Sequence, residues 1–306
     1  EFYHTENFSV SVEFGSILFY IRLSKTRAAV CDTYIRMEEK MAKLGFIGMG
    51  NMGYAMLKGA LHTMEPQEIL FSDADAERAG KIYKETGVSF AYSNAECANK
   101  VKYLVLAVKP QFYGVVHKNI ENVVTDQHVI LSIAPNVSIH DLKEQLGDSR
   151  KIVRAMPNTP ALVGEGMTGI CFEEGKLEEE EKKFVLHFFE SFGKVRIVEE
   201  RLMNTVTCAS GSSPAYVYMF IEALADGAVK YGMPRQAAYE FAAQTVKGAA
   251  EMVLQTGEHP GKLKDMVCSP GGTTIDAVEA LEEFGFRNAI MKATDRCYEK
   301  CVQMKK

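Results

Sequence analysis

The sequence predicts an α/β fold, with an N-terminal Rossmann-like doubly wound sheet followed by an all-helical domain. From Lys43 onward, short apolar runs alternate with amphipathic stretches, which is typical of a parallel sheet with crossover helices. A glycine-rich turn follows the first apolar run, and the strand signals stop after about Glu200. Because 306 residues exceed the usual size of one hydrophobic core, we predict two domains, 41–200 and 201–306, with a preceding part, 1–40, outside them.

The first part, residues 1–40, is predicted to be an extension that does not belong to the fold. Residues 1–36 mix aromatic and polar side chains without the periodicity of a helix or a strand. The apolar run Ile17–Ile21 is too short to span a bilayer, and no basic segment precedes it. The sequence therefore predicts neither a membrane anchor nor an export signal.

The second part, residues 41–200, is predicted to be a dinucleotide-binding Rossmann domain with a parallel sheet of seven or eight strands. Leu177–Phe192 has one charged face and one phenylalanine-rich face, which predicts an amphipathic helix. The predicted strands are Leu44–Ile47, Ile69–Phe71, Tyr103–Val108, Val129–Ile133, Lys151–Ala155, Thr168–Phe172 and Val195–Val198.

The third part, residues 201–306, is predicted to be helical. Pro214 and Pro234 lie where helices should start, and Gly257 lies where one should end. Its many alanine and glycine residues would allow close helix packing, either within one chain or between two copies. The predicted helices are Pro214–Lys230, Pro234–Gln255, Thr274–Phe284 and Phe286–Val302.

Charge and cysteine content narrow the range of partners. Lys and Arg number 35 against 40 Asp and Glu, so a net charge of −5 gives no attraction to nucleic acid or to an anionic membrane. The seven cysteines are scattered without a CxxC pair, which is typical of a reduced, cytoplasmic protein. Cys297 and Cys301 lie four apart on a predicted helix, but no second pair of ligands follows, and no metal site is predicted.

The turn Gly48-Met49-Gly50-Asn51-Met52-Gly53 has the pattern of a dinucleotide-binding fingerprint. It lies between the predicted strand ending at Ile47 and a predicted helix over Asn51–His62. In such a turn the first glycine allows the tight bend, the second lets the backbone approach a pyrophosphate, and the third allows close packing. The alternative is a tight strand-to-helix turn without a ligand.

The choice of cofactor depends on the end of the second strand. Ser72 occupies the expected contact position, Asp73 follows it, and Arg78 lies about one helical turn further on. An acid there would bind the ribose hydroxyls of NAD, whereas a neutral or basic site would admit the extra phosphate of NADP. We predict that NADP(H) is preferred and that NAD(H) is possible.

Three further loops follow predicted strands and are candidates for ligand contact. Ala107–Pro110 ends a very apolar strand, where ligands of open α/β sheets bind, and its proline should hold Lys109 extended. An ordinary turn with a solvated lysine is equally consistent with this pattern. Similar loops begin at Ala134 and Met156, and the second of these could equally be a rigid turn between domains.

The turn Ser269–Thr274 in the helical part places two adjacent glycines before a helix. Thr273 and Asp276 have the spacing of a capping box, which would leave backbone amides pointing out of the turn. Such a turn could hold a small carboxylate. Helix capping alone would explain the pattern equally well.

Four motifs occur in the order found in pyrroline-5-carboxylate reductases, and the chain resembles that family from about Met41 to its end. They are Gly45–Gly50, Ala107–Pro110, Ser210–Tyr216 and Ser269–Thr274. The first motif is shared with many dehydrogenases. The last is specific to the family, whereas residues 1–40 have no counterpart in it.

The resemblance implies NAD(P)H-dependent reduction of Δ1-pyrroline-5-carboxylate to L-proline, the last step of proline biosynthesis. It implies that Thr274 hydrogen-bonds the imine nitrogen. A protonated imine carbon is already electrophilic, so the enzyme needs to position it against the nicotinamide rather than supply a strong acid. The predicted substrate-binding residues are Glu200, Ser269, Gly271, Gly272, Thr273 and Thr274.

The resemblance also implies a homodimer with shared active sites, formed through the helical domain, and a possible higher ring assembly. Family resemblance and motifs together predict a long set of cofactor contacts. These are Ile47, Gly48, Met49, Gly50, Asn51, Met52, Gly53, Ser72, Asn94, Ala107, Val108, Lys109, Pro110 and Ala134.

Two other functions are compatible with the opening motif. A β-hydroxyacid dehydrogenase would use a lysine of the second domain, and Lys230 and Lys247 are available, but the Ser269–Thr274 turn would then have no role. A non-catalytic nucleotide-binding assembly protein should have a damaged turn. Gly271 and Thr274 are both present, which favours a catalytic protein.

Overall fold

The computed structural model describes residues 9–14, 17–22 and 42–304. The chain divides into two compact units, Glu1–Met41 and Ala42–Lys306. Most of the predicted extension, and the predicted start of the Rossmann domain at residue 41, lie outside the described residues. The boundary near residue 200 falls within the second unit and stays a prediction.

The described residues of the first unit form a β-hairpin, so the expectation of no strand periodicity there is wrong. Strand β1 (Ser9–Phe14) pairs antiparallel with β2 (Ile17–Arg22), with Phe14 opposite Ile17. Ser and Val alternate in β1, and only a Gly-Ser pair separates the strands in sequence. That spacing is typical of a two-residue hairpin turn and was available to sequence reasoning.

The described part of the second unit contains one eight-stranded sheet, within the predicted range. The strand order is β10-β9-β8-β7-β6-β3-β4-β5, whose last six members have the order of a doubly wound nucleotide-binding fold. The strand that the prediction missed is the short β5. The bounds are β3 (Ala42–Ile47), β4 (Ile69–Ser72), β5 (Ser89–Phe90), β6 (Val101–Leu106), β7 (Val129–Ser132), β8 (Lys151–Met156), β9 (Gly166–Phe172) and β10 (Gly193–Ile197).

The sheet is mixed rather than wholly parallel, which corrects the prediction. Strands β3 to β8 run parallel to one another, whereas β9 runs antiparallel to β8 and β10 runs parallel to β9. A parallel crossover needs a dozen or more residues, and the connection from Met156 to Gly166 is shorter than that. The chain therefore turns back beside β8 through a short 3-10 helix, Thr159–Val163.

Six described helices accompany the sheet. The helix predicted over 177–192 is confirmed, and it is two residues shorter at each end. The helix after the glycine-rich turn is also confirmed, and it ends at Ala60 rather than at His62. The bounds are α1 (Asn51–Ala60), α2 (Ala76–Thr86), α3 (Asn94–Asn99), α4 (Tyr113–Ile120), α5 (Ile139–Leu146) and α6 (Glu179–Glu190).

Both faces of the sheet are covered by apolar side chains. Successive strand residues point to opposite faces, and the neighbours Phe46 and Ile47 accordingly belong to two different buried clusters. Phe46 meets Phe188 of α6 edge-on, with ring centroids 6.0 Å apart. The cluster of Ile47 instead includes residues of α3, α4 and α5. This two-sided packing fixes the carboxyl edge of the sheet, where the predicted cofactor residues lie.

The described residues beyond Glu200 are helical, as predicted. α7 continues into a π-helical turn, Thr207–Gly211, before the longer helices begin. The helix Pro260–Val267 was not predicted as a separate element, and the His259 side chain caps its start by accepting from the Gly261 amide. The bounds are α7 (Met203–Val206), α8 (Pro214–Lys230), α9 (Arg235–Thr256), α10 (Pro260–Val267), α11 (Thr273–Glu283) and α12 (Phe286–Gln303).

The helical region buries little of its apolar surface within one chain. Among the described residues of α8 to α12, the buried apolar side chains are Ala225, Ala238, Ala242 and Cys301. Large side chains such as Phe241 and Leu254 are 66% and 73% exposed. Large apolar side chains that are exposed in such numbers are typical of an interface. Within the described part of the chain, no helix combines the length and the apolar character needed to cross a bilayer.

Candidate active site

The glycine-rich turn after β3 has the backbone geometry that a dinucleotide requires. Gly48 adopts a φ of 96°, and a Cβ there would lie 2.9 Å from the carbonyl oxygen of Ala107. A Cβ on Gly53 would lie 2.2 Å from the carbonyl oxygen of Gly48. A Cβ on Gly50 would meet no protein atom within 4 Å. Packing therefore explains the first and third glycines, and an open approach for a ligand remains at the second.

Asp73, which directly follows β4, holds the glycine-rich turn in place. The Met49 amide donates to Oδ2 of Asp73 at 2.6 Å, and the Asp75 amide donates to Oδ1 at 2.9 Å. The Gly48 amide donates to the Ser72 carbonyl at 2.8 Å. Both oxygens of Asp73 thus accept backbone hydrogen bonds, so this carboxylate supports the turn.

Helix α1 begins at the turn with its first amides uncapped by a side chain. Gly50 is the residue before the helix, and its backbone is extended. The free amides and the helix dipole favour an anion at this end. The turn opens into a cleft of about 330 Å³, whose lining residues are Met49, Gly50, Asn51, Tyr54, Arg78, Lys81, Ile82, Glu85 and Leu162.

One wall of this cleft carries positive charge. Arg78 and Lys81 lie one helical turn apart on α2, and Arg78 is paired with Asp73 and Asp75 at 3.7 Å and 3.4 Å.

Tyr54 donates a hydrogen bond to Glu85, and this bond, with burial, raises the pKa of Tyr54 to about 12. Tyr54 therefore keeps its proton at neutral pH and serves as a neutral wall of the cleft.

The predicted contact residue Ser72 is buried rather than open to the cleft. It is 2% exposed, and its hydroxyl donates to Oδ1 of Asn94 at 2.9 Å. The Asn94 side-chain Nδ2 in turn donates to Oδ1 of Asn119 at 3.2 Å. Asn94 is the first residue of α3 and is itself partly exposed. Ser72 thus orients Asn94, which is the member of this pair nearer to solvent.

The remaining predicted cofactor residues follow the neighbouring strands. Ala107 donates its amide to the Ile47 carbonyl at 2.8 Å, so the ends of β3 and β6 are joined. Lys109 is exposed and extended, with φ −66° and ψ 149°, which confirms the effect expected from Pro110. Ala134 is 2% exposed in the loop after β7. The carboxyl ends of β3, β4, β6 and β7 therefore share one edge of the sheet with the predicted residues.

Glu200 lies in a second cleft of about 240 Å³, with Ser138, Arg154, Arg201 and Asn204. Oε1 of Glu200 accepts from the Ile139 amide at 2.8 Å and from Nη1 of Arg154 at 3.3 Å. Arg154 is 3% exposed, so this ion pair is largely shielded from water on one side. Glu200 is thus held in a cleft that has both acidic and basic side chains. This cleft shares no lining residue with the cleft beside the glycine-rich turn.

The turn Ser269–Thr274 presents backbone amides at the start of α11. Gly271 has a φ of 66°, and the Gly272 amide donates to the Ser269 carbonyl at 3.0 Å. The predicted capping box is wrong: Gly272 precedes the helix, Thr273 is already its first residue, and no side chain caps this end. A helix start without a side-chain cap has free amides, which suits a carboxylate. Thr274 is half-buried beside them.

Sequence reasoning missed several residues of the two clefts. On α2, Arg78 was considered, but Lys81, Ile82 and Glu85 were not, although the i, i+3, i+4, i+7 spacing places all four on one helix face. Arg154 was missed because a lone arginine inside an apolar strand carries no motif. Leu162 comes from the reversal between β8 and β9, which the parallel prediction did not include.

Comparison with known proteins assigns this chain to a family. Residues 200–304 match the family described as pyrroline-5-carboxylate reductase dimerisation. Residues 43–136 match the family described as "NADP oxidoreductase coenzyme F420-dependent". The pyrroline-5-carboxylate reductase of Escherichia coli K12 is 46% identical over 266 residues, which cover 86% of this chain and 98% of the relative. The chain belongs to the pyrroline-5-carboxylate reductase family.

Other reductases of this family support the assignment. The pyrroline-5-carboxylate reductase of Methanosarcina acetivorans is 41% identical, with coverage of 86% of this chain and 98% of that one. The structure of a pyrroline carboxylate reductase from Plasmodium falciparum with NADP bound superposes with a TM-score of 0.79 and 34% identity, covering 87% and 99% of the two chains. The predicted family, fold class and enzyme class are confirmed, and the protein is an oxidoreductase.

Proposed function

We propose that this protein reduces Δ1-pyrroline-5-carboxylate to L-proline with reduced nicotinamide dinucleotide. The proposal rests on two features that occur together in this chain. One is the open glycine-rich turn, and the other is the helix start at Thr273, which no side chain caps. The first has the backbone shape for a pyrophosphate, and the second has free amides for a small carboxylate. A β-hydroxyacid dehydrogenase would have no role for the free amides at this helix start.

The cofactor would be held by the turn Gly48–Gly53, the exposed face of α2 and the loops after β6 and β7. When bound, reduced nicotinamide supplies the hydride for the imine carbon. Gly50 gives the pyrophosphate access to the free amides of α1, while Asp73 keeps the turn in the required shape through Met49. These residues orient the cofactor, and they take no part in proton transfer.

The substrate would be held by the turn Ser269–Thr274. The free amides at Thr273 and Thr274 bind the carboxylate, and the Thr274 hydroxyl hydrogen-bonds the imine nitrogen. Such contacts fix the ring relative to the nicotinamide, which accounts for much of the rate because the protonated imine is already reactive. Glu200 is proposed to lie beside the substrate, where its bond to Arg154 holds its carboxylate in one orientation.

We propose that NADP(H) is the preferred cofactor and that NAD(H) is accepted less well. Both oxygens of Asp73 already accept backbone amides, so this acid is not free to bind ribose hydroxyls. Arg78 and Lys81 line the same cleft and could bind the extra phosphate of NADP. The NADP bound in the relative from Plasmodium falciparum is consistent with this preference.

Replacing Arg78→Ala should weaken the use of NADPH but not of NADH. Loss of one charge-assisted contact costs roughly 1.5–3 kcal/mol, so KM for NADPH should rise by about tenfold or more. Steady-state kinetics with both cofactors give the comparison. The matched control is Lys84→Ala, which removes a positive charge from the same helix outside the cleft. Equal losses with NADPH and NADH would show that Arg78 does not read the phosphate.

The protein assembles as a homo-oligomer through its helical region, which matches the dimerisation family. We propose that the two copies share active sites, because the turn before α11 belongs to this region, and that dimers associate further into a ring. The exposed apolar side chains of α8 to α12 supply the surface for the dimer contact. A cytoplasmic location remains a prediction from the cysteine pattern.

Replacing Phe241→Glu should shift the protein from the dimer toward the monomer. Phe241 is 66% exposed in the single chain, and truncating a buried interface aromatic costs at least ~1–2 kcal/mol, so dimer affinity should fall by about tenfold or more. Light scattering over a dilution series measures the mass. Tyr92→Glu is the control, since Tyr92 is 90% exposed in the Rossmann-like region. An unchanged dimer in the Phe241 variant would remove this face from the interface.

The experiment that tests the proposed reaction is the initial rate of NADPH and NADH oxidation with Δ1-pyrroline-5-carboxylate. Rapid oxidation that depends on the imine substrate is expected, with the faster rate from NADPH. A folded protein that binds nucleotide but oxidises neither cofactor would contradict the proposal.

A further inference from the structure

Three cysteines that are far apart in sequence meet in the helical region. Their sulfur atoms, those of Cys208, Cys297 and Cys301, all lie within 4.8 Å of one another. Cys208 belongs to the π-helical turn Thr207–Gly211, and the other two lie one turn apart on α12. Cys208 and Cys301 are 2% and 6% exposed, and Cys297 is partly exposed. Neither of the two clefts includes any of them.

The arrangement fits the coordination geometry of a small thiophilic cation. Tetrahedral zinc has metal–sulfur bonds of about 2.3 Å, which places its ligand sulfurs ~3.8 Å apart. Sulfurs already within 4.8 Å reach that spacing by small rotations of the side chains. The Cys297 thiol donates to the Ser212 hydroxyl at 3.3 Å, so an oxygen lies next to one of the three sulfurs.

We propose that Cys208, Cys297 and Cys301 bind one divalent metal ion of the zinc class, with the Ser212 hydroxyl or a water molecule in the fourth position. Binding converts three thiols into three thiolates, forms three metal–sulfur bonds and releases three protons to solvent. No electron transfer is involved. The ion joins α12 to the π-helical turn and acts as a structural clip.

The three proposed ligands lie close enough for their charges to interact once they are deprotonated. Among the described residues, Tyr216 and Arg154 also interact electrostatically with this cluster. Three clustered thiolates would repel one another, and a divalent cation removes that repulsion.

A disulfide is a poorer use of the same residues. A disulfide needs Cβ atoms about 3.5–4.5 Å apart, whereas residues four apart on a helix have Cβ atoms roughly 5–6 Å apart. Cys297 and Cys301 therefore cannot be joined without distortion of α12. A bond from Cys208 to either one would leave the third thiol beside it without a function.

The clip would act on a segment that already connects the two parts of the second unit. Asn158, in the loop after β8, donates to the Ser210 carbonyl at 3.0 Å and also accepts from the Met167 amide at 2.9 Å. A Cβ on Gly211 would lie 2.8 Å from Cε of Met156. Because Cys208 is in the same turn, the ion should stabilise the docking of α12 against this segment.

The test uses the full chain, reduced and freed of metal with a chelator, and titrated with Co²⁺ and then Zn²⁺. We expect one equivalent of Co²⁺ per chain with a sulfur-to-metal charge-transfer band, displacement by Zn²⁺, and a melting temperature that rises with metal concentration. Absence of the band in the folded wild-type protein would overturn the proposal. A disulfide among these residues in non-reducing peptide mapping of the protein as purified would do the same.

Variants assign the site to its residues. The double variant Cys208→Ala, Cys301→Ala should lose the band, and Cys301→Ser, a smaller change, should weaken Co²⁺ binding by at least about tenfold, since it removes a thiolate ligand. Cys268→Ser is the matched control, because Cys268 is also partly exposed but lies outside the cluster. Circular dichroism checks each fold. Unchanged binding in folded Cys301→Ser, or loss in Cys268→Ser, would overturn the assignment.

Discussion

The variant Gly50→Val is expected to lose cofactor binding while its fold stays intact. A Cβ at this position would meet no protein atom within 4 Å, so the valine can be accommodated in the free protein. Its methyl groups would, however, fill the space beside the amides of α1 that the pyrophosphate has to approach. Loss of those contacts should cost at least ~3 kcal/mol, which raises the Kd for NADPH by about a hundredfold or more.

The contrast with other glycines makes this prediction specific. Gly53→Val places its Cβ 2.2 Å from the Gly48 carbonyl and should unfold the turn, so it cannot serve as a binding test. Gly114→Val, on α4, also meets nothing within 4 Å and should leave binding unchanged. Isothermal titration with NADPH and a thermal melt measure both properties. Tight binding by a folded Gly50→Val protein would show that the cofactor does not use this turn.

The variant Thr274→Ala should lower kcat with little change in the Kd of the cofactor. The proposed role of the hydroxyl is one hydrogen bond to the protonated imine, and such a bond to a charged group is worth about 1.5–3 kcal/mol. If it is formed mainly in the transition state, kcat should fall roughly 10- to 100-fold. Thr274 is the second residue of α11 and does not cap it, so helix stability should change little.

Two neighbouring substitutions separate the hydroxyl from the helix start. Thr274→Ser keeps the hydroxyl and should keep most of the activity. Thr273→Ala removes a hydroxyl from the same turn that has no proposed bond to the imine, and it should behave like the parent protein. Steady-state kinetics at saturating NADPH provide the comparison. Equal rates for Thr274→Ala and the parent would remove this residue from the mechanism.

The sequence predicted the elements of the fold better than their directions. Each apolar run in residues 41–200 became a strand, because a buried strand has few polar positions that could obscure it. The reversal at β9 was missed, since the length of the connection from Met156 to Gly166, not the strand pattern, decides the direction. The pairing of β1 with β2 was missed, although the two-residue spacing between these runs was visible in the sequence.

The candidate site was only partly accessible from motifs. Gly48, Gly50 and Gly53 have the spacing of a known turn, so their roles could be predicted. In the structure Gly48 and Gly53 are closely packed, and Gly50 faces open space, as expected. Ser72 was placed toward the ligand, yet it is buried, because a strand-end position does not reveal which way a small hydroxyl points. The roles of Thr274 and Glu200 come from family resemblance and stay predictions.

Contacts between residues that are far apart in sequence could not be predicted from the sequence. Asp73 was considered as a ribose ligand, whereas its bond to the Met49 amide depends on how the ends of β3 and β4 lie together. The meeting of Cys208 with Cys297 and Cys301 likewise depends on the packing of α12 on the π-helical turn. Sequence spacing supplied only the pair that shares a helix.

The central claim is tested most directly by measuring L-proline formation and NADPH consumption together. Purified protein is mixed with NADPH and Δ1-pyrroline-5-carboxylate, and both quantities are followed in the same reaction, with the Thr274→Ala variant as a parallel sample. We expect one proline formed for each NADPH oxidised, at a rate that the variant strongly reduces. NADPH oxidation without proline, or no oxidation by protein that binds the cofactor, would contradict the account.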